Sequence, residues 1–393
     1  MVVLGSTGSI GKNALKIAKK FGVEIEALSC GKNIALINEQ IQIFKPKKVA
    51  ILDPSDLNDL EPLGAEVFVG LDGIDAMIEE CVSNLVLNAI VGVAGLKASF
   101  KSLQRNKKLA LANKESLVSA GHLLDISQIT PIDSEHFGLW ALLQNKTLKP
   151  KSLIISASGG AFRDTPLEFI PIQNAQNALK HPNWSMGSKI TIDSASMVNK
   201  LFEILETYWL FGASLKIDAL IERSSIVHAL VEFEDNSIIA HLASTDMQLP
   251  ISYAIDPKLA SLSASIKPLD LYALSAIKFE PISMERYTLW RYKDLLLENP
   301  KLGVVLNASN EVAIEKFLNK EIAFGGLIKT ISQALESYAK TPFKLSNLDE
   351  VLALDREVRE RFGSVARMWY NEILLLIAFY FNQEFLYRSF LWG

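Results

Sequence analysis

Along the first third of the chain, short aliphatic and β-branched runs alternate with longer stretches whose apolar residues recur every three or four positions. "VVL" at 2–4 leads through a glycine turn into the amphipathic "KNALKIAKKFG". "EIEALS", "KKVAILD" (47–53), "NLVLNAIVG" (84–92), "KKLALAN" (107–113) and "QITPID" (128–133) repeat the strand pattern. Strands separated by helices predict βαβ units and a mainly parallel sheet. From about residue 151 the pattern changes. "KSLIISASGG", "KITIDSASM", "SIVHALVEF" and "SIIAHLAS" predict several strands and one long helix, an α+β arrangement with an open sheet. A Ser- and Pro-punctuated connector at 258–283 follows. Beyond it, "NASNEVAIEKFLNKEIAFGGLIKTISQALESYA" and "NLDEVLALDREVRERF" carry helical periodicity. The aromatic stretch from about 363 to 393 reads either as a buried terminal helix or as an unrelated extension.

Composition narrows the class. At 393 residues the chain holds two or three domains of roughly 150 residues each. A hydrophobic fraction of 49% supports a sizeable core. A net charge of −4 gives no general attraction to nucleic acid or to an anionic membrane. Cys30 and Cys81 form no CxxC pair, which fits buried or incidental thiols in a reducing cytosol. No signal peptide precedes the first strand, and the longest wholly apolar run, Ile373–Phe381, is far short of the ~20 residues that span a bilayer. The expectation is a soluble, cytoplasmic protein.

Candidate chemistry starts at Gly5, Gly8 and Gly11 in "GSTGSIG", between the first strand and the first helix. Glycines there allow a sharp turn and close approach of a phosphate to the helix N-terminus, although a purely structural turn has the same pattern. The second strand ends in Gly31–Lys32–Asn33, with no acid for a ribose 2′-hydroxyl. A cation and an amide suit a 2′-phosphate, so NADP(H) is preferred to NAD, the alternative being an ordinary surface lysine. Asn113, Lys114 and Glu115 interrupt an apolar strand where its carboxyl end faces such a crevice.

In "PIDSEHFG" (131–138), Asp133 and Glu135 follow a short apolar run. If the segment stays extended, both face one spot, and like charges that close need a cation or a shared proton unless they are simply solvated. "TIDSASMVNKLFEILE" (191–206) reads as a strand ending at Asp193 that passes into a helix. Ser196, Asn199, Lys200 and Glu203 would then share one helix face, a phosphate clamp with a metal ligand at its end. Ser158 lies on a glycine turn, and "HPNWSMGSK" (181–189) has the hinge-like Pro182 and Gly187 of a lid. Of five histidines, His122, His228 and His241 read as structural, His136 as a neighbour of the acids, and His181 as functional.

The ordered motifs "GSTGSIG", "GKN", "ANKES", "DSEH", "SASGG.FRDTP", "HPNWSMG.KITIDSASM.NK..E" and "LNASNEVA" resemble the 1-deoxy-D-xylulose 5-phosphate reductoisomerase family from residue 2 to about 313, and its helical character continues to about 362. The resemblance implies an α/β protein with a Rossmann-type NADPH-binding domain (1–132), a catalytic α+β domain (133–257), the connector, and a C-terminal helical domain (284–393). It implies a homodimeric enzyme of non-mevalonate isoprenoid biosynthesis that uses NADPH and a divalent cation (Mg²⁺, Mn²⁺ or Co²⁺). Its substrate is a phosphorylated sugar, rearranged by retro-aldol and aldol steps and then reduced to 2-C-methyl-D-erythritol 4-phosphate.

Carried over, the resemblance makes Asp133, Glu135 and Glu203 metal ligands. It places Thr7, Gly8, Ser9 and Ile10 at the pyrophosphate, Gly31, Lys32 and Asn33 at the 2′-phosphate, and Asn113, Glu115 and Gly187 near the cofactor. Lys114, Ser134 and Glu135 would meet the reacting end of the substrate, with Glu203 beside it, and Ser158, Ser194, Asn199 and Lys200 its phosphate. His181 and Trp184 would belong to the lid, and Lys114, Glu135 and His181 would be catalytic. Three features depart from the family: few residues precede the first strand, "LF" replaces a glycine after Lys200, and the stretch beyond 363 matches nothing in it. A semialdehyde dehydrogenase would need a nucleophilic cysteine in its second domain, and both cysteines lie before residue 82. A non-enzymatic NADP-binding regulator would be expected to lose some of Asp133, Glu135, Lys114, Lys200 and Glu203, yet all are present.

Overall fold

The structure is a computed structural model that describes residues 1–144, 147–184 and 186–363; the aromatic stretch from 364 onward lies outside the described residues. Seven parallel strands form the first sheet: β1 (Val2–Leu4), β2 (Ala27–Cys30), β3 (Lys48–Ile51), β4 (Glu66–Val69), β5 (Leu85–Asn88), β6 (Lys108–Leu111) and β7 (Ile129–Pro131). Their spatial order is β4-β3-β2-β1-β5-β6-β7, so the winding reverses between β1 and β5. Ligands of doubly wound sheets bind outside the carboxyl ends of the strands at such a reversal. The alternation of side chains along a strand explains the two cores. Val3 faces the cluster under the helix Ser9–Phe21, and Val2 and Leu4 face the opposite cluster with Ile74 and Met77.

A second sheet, in order β11-β10-β8-β9, is built from β8 (Pro150–Ala157), β9 (Lys216–Ile221), β10 (Val227–Phe233) and β11 (Ile238–Leu242). β8 and β9 are parallel, while β10 runs antiparallel to β8 and to β11. Helices Gly303–Leu318, Phe324–Tyr338 and Leu348–Phe362 make up the C-terminal part. They share one core with the second sheet, in which Leu153, Ile155 and Phe202 meet Val305, Leu327 and Val351. The helical part is therefore welded to the floor of the second sheet.

Two local expectations need correction. "KITIDSAS" is not a strand: Ser188–Ser196 is a helix capped at Gly187. Its consecutive β-branched residues Ile190, Thr191 and Ile192 favour a strand, but Thr191 and Ile192 are buried in a helical setting and Lys189 pairs with Asp193 at i,i+4; tertiary packing overrides a weak propensity. Nor does one helix carry Ser196 to Glu203. Met197 takes φ 68°, which separates that helix from Val198–Phe211. The β4 strand "EVFV" was not foreseen, since it is short and incompletely buried.

The glycine turn is set by contact. A Cβ on Gly11 would sit 2.4 Å from the carbonyl oxygen of Gly5 and 2.5 Å from Cα of Ser6. Gly11→Ala is therefore expected to destabilise the protein by about 1–3 kcal/mol through backbone displacement, read as a lower urea midpoint; an unchanged midpoint would show that the turn relaxes freely.

Candidate active site

A cavity of about 200 Å³ lies between the carboxyl edge of the first sheet and the second sheet. The chain segment leaving β7 supplies its acids. Asp133 is extended and caps the helix Ser134–Leu142, its Oδ1 accepting from the backbone N–H of Glu135 (3.1 Å) and His136 (3.3 Å). This corrects the extended reading of 133–135. Glu135 stands in the first helical turn, where free N–H groups and the helix dipole favour negative charge. The helix Val198–Phe211 brings Glu203 from the opposite side. Ligand oxygens of Asp133, Glu135 and Glu203 all lie within 4.8 Å of one another.

Two lysines hold these acids together. Lys114, leading the helix Lys114–Ala120 after β6, donates to Asp133 Oδ2 at 2.5 Å and to Glu203 Oε1 at 2.8 Å. Lys200 donates to Glu135 Oε1 at 2.8 Å, to the carbonyl of Ser156 at 2.5 Å and to Glu203 Oε2. Burial opposes charge on both lysines, yet the paired acids hold them above the usual lysine range. Asp133, although burial opposes its ionisation, is held well below the carboxylate range by Lys114 and His136. Glu203 is pushed up by burial and then by the charge of Glu135. The fully buried His136 places Nδ1 3.2 Å from Asp133 Oδ1 and its other nitrogen 3.1 Å from the Glu203 carbonyl and from Thr207. His136 is thus a brace between two of the acids, and against its burial the charges of Asp133 and Glu206 raise it to about 9. Glu206, one turn after Glu203 and buried, is pushed up to about 8 by burial; sequence reading missed it.

The far end of the cavity is polar and less acidic. Ser158 Oγ is 3.0 Å from His181 Nε2. His181 Nδ1 accepts from the backbone N–H of Asn183 (3.2 Å) and Trp184 (2.9 Å), so in the neutral ring Nε2 carries the proton and points it at Ser158. Asn183 ties this loop to β9–β10, donating at 2.7 Å to the Arg223 carbonyl and to Ser225 Oγ. Gly160, at φ 67°, lets the Ser158 turn press onto the helix bearing Ser194, where a Cβ would lie 2.5 Å from the Ser194 carbonyl. Ser194, Asn199, Trp184 and Gly187 all line the cavity, with Ser134 on the acidic side. Asn199 Nδ2 donates to Glu203 Oε1 at 2.5 Å. Ser196 does not belong: buried behind the helix, its hydroxyl donates to the Asp193 carbonyl at 3.2 Å.

Of the expected cofactor residues, Ser9 and Ile10 reach the same cavity from the glycine turn, with Thr7 and the exposed Gly8 beside them. Gly31 and Lys32 line a separate pocket, together with Asp53 and Asp56 from beyond β3. No sequence motif announced those two acids. Asn33 caps the next helix, accepting from the Leu36 N–H at 3.1 Å. Asn113 and Glu115 stand behind the wall: Asn113 Nδ2 donates to the carbonyls of Ile90 (2.7 Å) and Gly92 (2.8 Å) and to Glu115 Oε2 (2.9 Å). His228, read as structural, does line the cavity, although its Nε2 is engaged 3.2 Å from the Ala243 carbonyl. Met186 and Ile190, inside the quoted motifs but not singled out there, supply apolar wall together with Met247.

A doubly wound sheet whose strand ends open on a cavity of three carboxylates and two lysines defines a class: a Rossmann-type enzyme with an acidic, phosphate-compatible site. Comparison with known proteins gives the particular family. Family models for 1-deoxy-D-xylulose 5-phosphate reductoisomerase match residues 1–121, its C-terminal domain residues 129–211, and a second C-terminal domain residues 242–361. The chain is 95% identical over 368 residues to the reductoisomerase of Helicobacter pylori (strain P12), covering 94% of this chain and 100% of that protein. It is 52% identical over 362 residues to that of Wolinella succinogenes, covering 92% and 99%. Among solved structures, a reductoisomerase in complex with NADPH, fosmidomycin and magnesium matches with a TM-score of 0.83 at 29% identity, covering 92% of this chain and 96% of that one. The Zymomonas mobilis enzyme in complex with NADPH matches at 0.81 and 34% identity, covering 92% and 97%. The chain belongs to the 1-deoxy-D-xylulose 5-phosphate reductoisomerase family.

His181 gives a pH prediction. Burial, then the charges of Arg163 and Lys200, push His181 from 6.5 down to about 4. The unfolded chain therefore binds more protons than the folded one between those values, so stability falls as pH drops through that window. His181→Gln should flatten this acid limb in thermal melts of the ligand-free protein. It should not abolish it, because burial also pushes His241 down to about 4; an unaltered limb would mean that His181 titrates normally.

Proposed function

We propose a role for each site residue in the reaction of this family. The enzyme rearranges 1-deoxy-D-xylulose 5-phosphate and reduces the product to 2-C-methyl-D-erythritol 4-phosphate, using NADPH and one divalent cation, in non-mevalonate isoprenoid biosynthesis. One observation carries the reading: three carboxylates converge within 4.8 Å where the strand ends of the first sheet meet the second. Their donor set fits a hard dication, since carboxylate oxygens are its preferred ligands and Asp133 and Glu135 keep side chains 11% and 16% exposed for access. Asp133, Glu135 and Glu203 would hold the ion, which supplies Lewis-acid polarisation and a template for substrate oxygens.

The remaining steps belong to the protein. Ser158, Ser194, Asn199 and Lys200 bind the substrate phosphate, with neutral donors and one ammonium as the charge partner. His181 donates from Nε2 on that side, and with Trp184 it closes the cavity against water. Lys114 and Ser134 orient the reacting end, where the ammonium stabilises negative charge that develops on a substrate oxygen. Thr7, Gly8, Ser9 and Ile10 seat the NADPH pyrophosphate at the helix N-terminus. Gly31, Lys32 and Asn33 receive the 2′-phosphate end, while Asn113, Glu115 and Gly187 set the nicotinamide beside the substrate. A hydride then passes from NADPH to the aldehyde carbon and a proton to its oxygen.

Other observations support the finer reading. No helix among the described residues is long and apolar enough to cross a membrane. Burial pushes the free thiols of Cys30 and Cys81 up to about 12 and about 11, consistent with inert thiols in a reducing cytoplasm. With the family resemblance, these support a cytoplasmic homodimer that accepts Mg²⁺, Mn²⁺ or Co²⁺.

The test is NADPH oxidation with 1-deoxy-D-xylulose 5-phosphate, with Mg²⁺ or Mn²⁺ and again with excess EDTA. Turnover that disappears with chelator is expected; turnover that survives it would overturn the metal role. Glu203→Gln should lower turnover by more than about 100-fold, the upper range for partners outside the ligand set. NADPH affinity should stay nearly the same in that variant, because the cofactor contacts, Gly187 apart, lie on the first sheet. Unchanged turnover would remove Glu203 from the site.

A further inference from the structure

The motif "LNASNEVA" (306–313) has no part in the roles given above, yet it carries buried polar residues into the molecule's centre. Asn307, Ser309 and Asn310 are all fully buried on the helix Gly303–Leu318. Asn310 Nδ2 donates at 2.7 Å to Asp193 Oδ1. Asp193 Oδ2 accepts at 3.0 Å from Lys189, and Lys189 also pairs with Glu115 Oε1 at 2.9 Å. The other Glu115 oxygen accepts from Asn113, which holds the Ile90–Gly92 loop after β5. An unbroken chain of polar contacts thus runs from the winding reversal of the first sheet, through the helix Ser188–Ser196, into the helical part. From the other side, Glu311 stands against the same loop, its Oε1 lying 3.1 Å from where a Gly92 Cβ would be, and its Oε2 is held by Arg359 at 2.8 Å.

Lys189 is the joint of this chain. Among the described residues it is the one cation that touches both Glu115, on the cofactor side, and Asp193, one residue before Ser194 on the phosphate side. A buried ion network of this kind is weak evidence for stability and stronger evidence for fixed registry between elements. The lysine also sits two residues after Gly187, so it pins the helix at the end where the lid loop enters.

We propose that Lys189 is a positioning residue that locks the helix bearing Ser194 to the cofactor-side Glu115, so that NADPH and the substrate phosphate bind cooperatively. This rests on the proposed roles of Ser194 and Glu115. Because Asp193 is gripped by Asn310, the helical domain anchors the joint from behind. Coupling of this kind is reciprocal, so either ligand reports it.

The test uses the full-length, metal-free enzyme and inorganic phosphate as the probe, with NADPH affinity read by fluorescence in its absence and presence. In the wild type and in Lys189→Arg, saturating phosphate should tighten NADPH binding by about 5-fold or more, the lower range of measured couplings. In Lys189→Gln that factor should fall to near unity while each ligand still binds alone. A factor retained in Lys189→Gln overturns the proposal, as does a wild type that binds phosphate with no effect on NADPH. Phosphate that fails to bind the wild type at all overturns instead the reading of Ser158, Ser194, Asn199 and Lys200, and the inference with it. Should Lys189→Gln not fold, Lys189→Gln combined with Asp193→Asn removes the partly buried cation and its buried anion together and gives the same readout. A lysine of merely structural importance would lower thermal stability and leave the coupling factor intact.

Discussion

The architecture of the site depends on one electrostatic constraint: three carboxylates, two of them nearly buried and one wholly buried, occupy a space where they repel strongly unless cations are interleaved. In the protein alone, Lys114 and Lys200 supply that charge, each bridging Glu203 to one of the other acids. Removing such acids from water is costly, and the cost is offset only by close, hydrogen-bonded partners. The constraint explains why each acid comes from a different structural device. Asp133 is a helix cap, Glu135 a first-turn residue at the positive end of the same helix, and Glu203 a residue of an apposed helix braced by His136. A dication held by the three acids would replace part of this compensation, since their oxygens are already gathered within 4.8 Å.

The same logic extends to the larger parts. The first sheet places Lys114 and the glycine turn at its carboxyl edge; the second sheet offers Ser156 and Ser158 at the end of β8. The two helices Ser188–Ser196 and Val198–Phe211, parted by the left-handed Met197, deliver Ser194 and Glu203 to one cavity. The C-terminal helices touch neither end. Through a shared core and Asn310 they fix where the Ser188 helix lies.

Much of this was legible in the residues. Alternation of apolar runs and helical periods exposed the parallel sheet, since buried parallel strands are continuous apolar stretches bounded by turn residues. Asp133, Glu135, Lys200 and Glu203 stood out because ionisable residues interrupt apolar patterns, and the structure gathers all four. What was illegible depended on tertiary context. "KITIDSAS" reads as a strand from its β-branched run, and only its packing makes it a helix. The positive φ of Met197 has no local signature, so Ser196 was placed on a face that it does not share. Asp53, Asp56, Glu206 and the Asn310–Asp193 contact join positions far apart in the chain, and no spacing rule connects them. His228 shows the converse: a histidine without a motif lies in the cavity wall because β10 happens to pass there.

The central claim is that Asp133, Glu135 and Glu203 form a preassembled site for one hard dication. Its most direct test is Mn²⁺ binding followed by electron paramagnetic resonance in wild type and Glu135→Gln, without substrate or NADPH. The account predicts one ion per chain in the wild type and an affinity reduced by more than about 100-fold in the variant. Equal affinity and stoichiometry in the two proteins would contradict it and place the metal elsewhere.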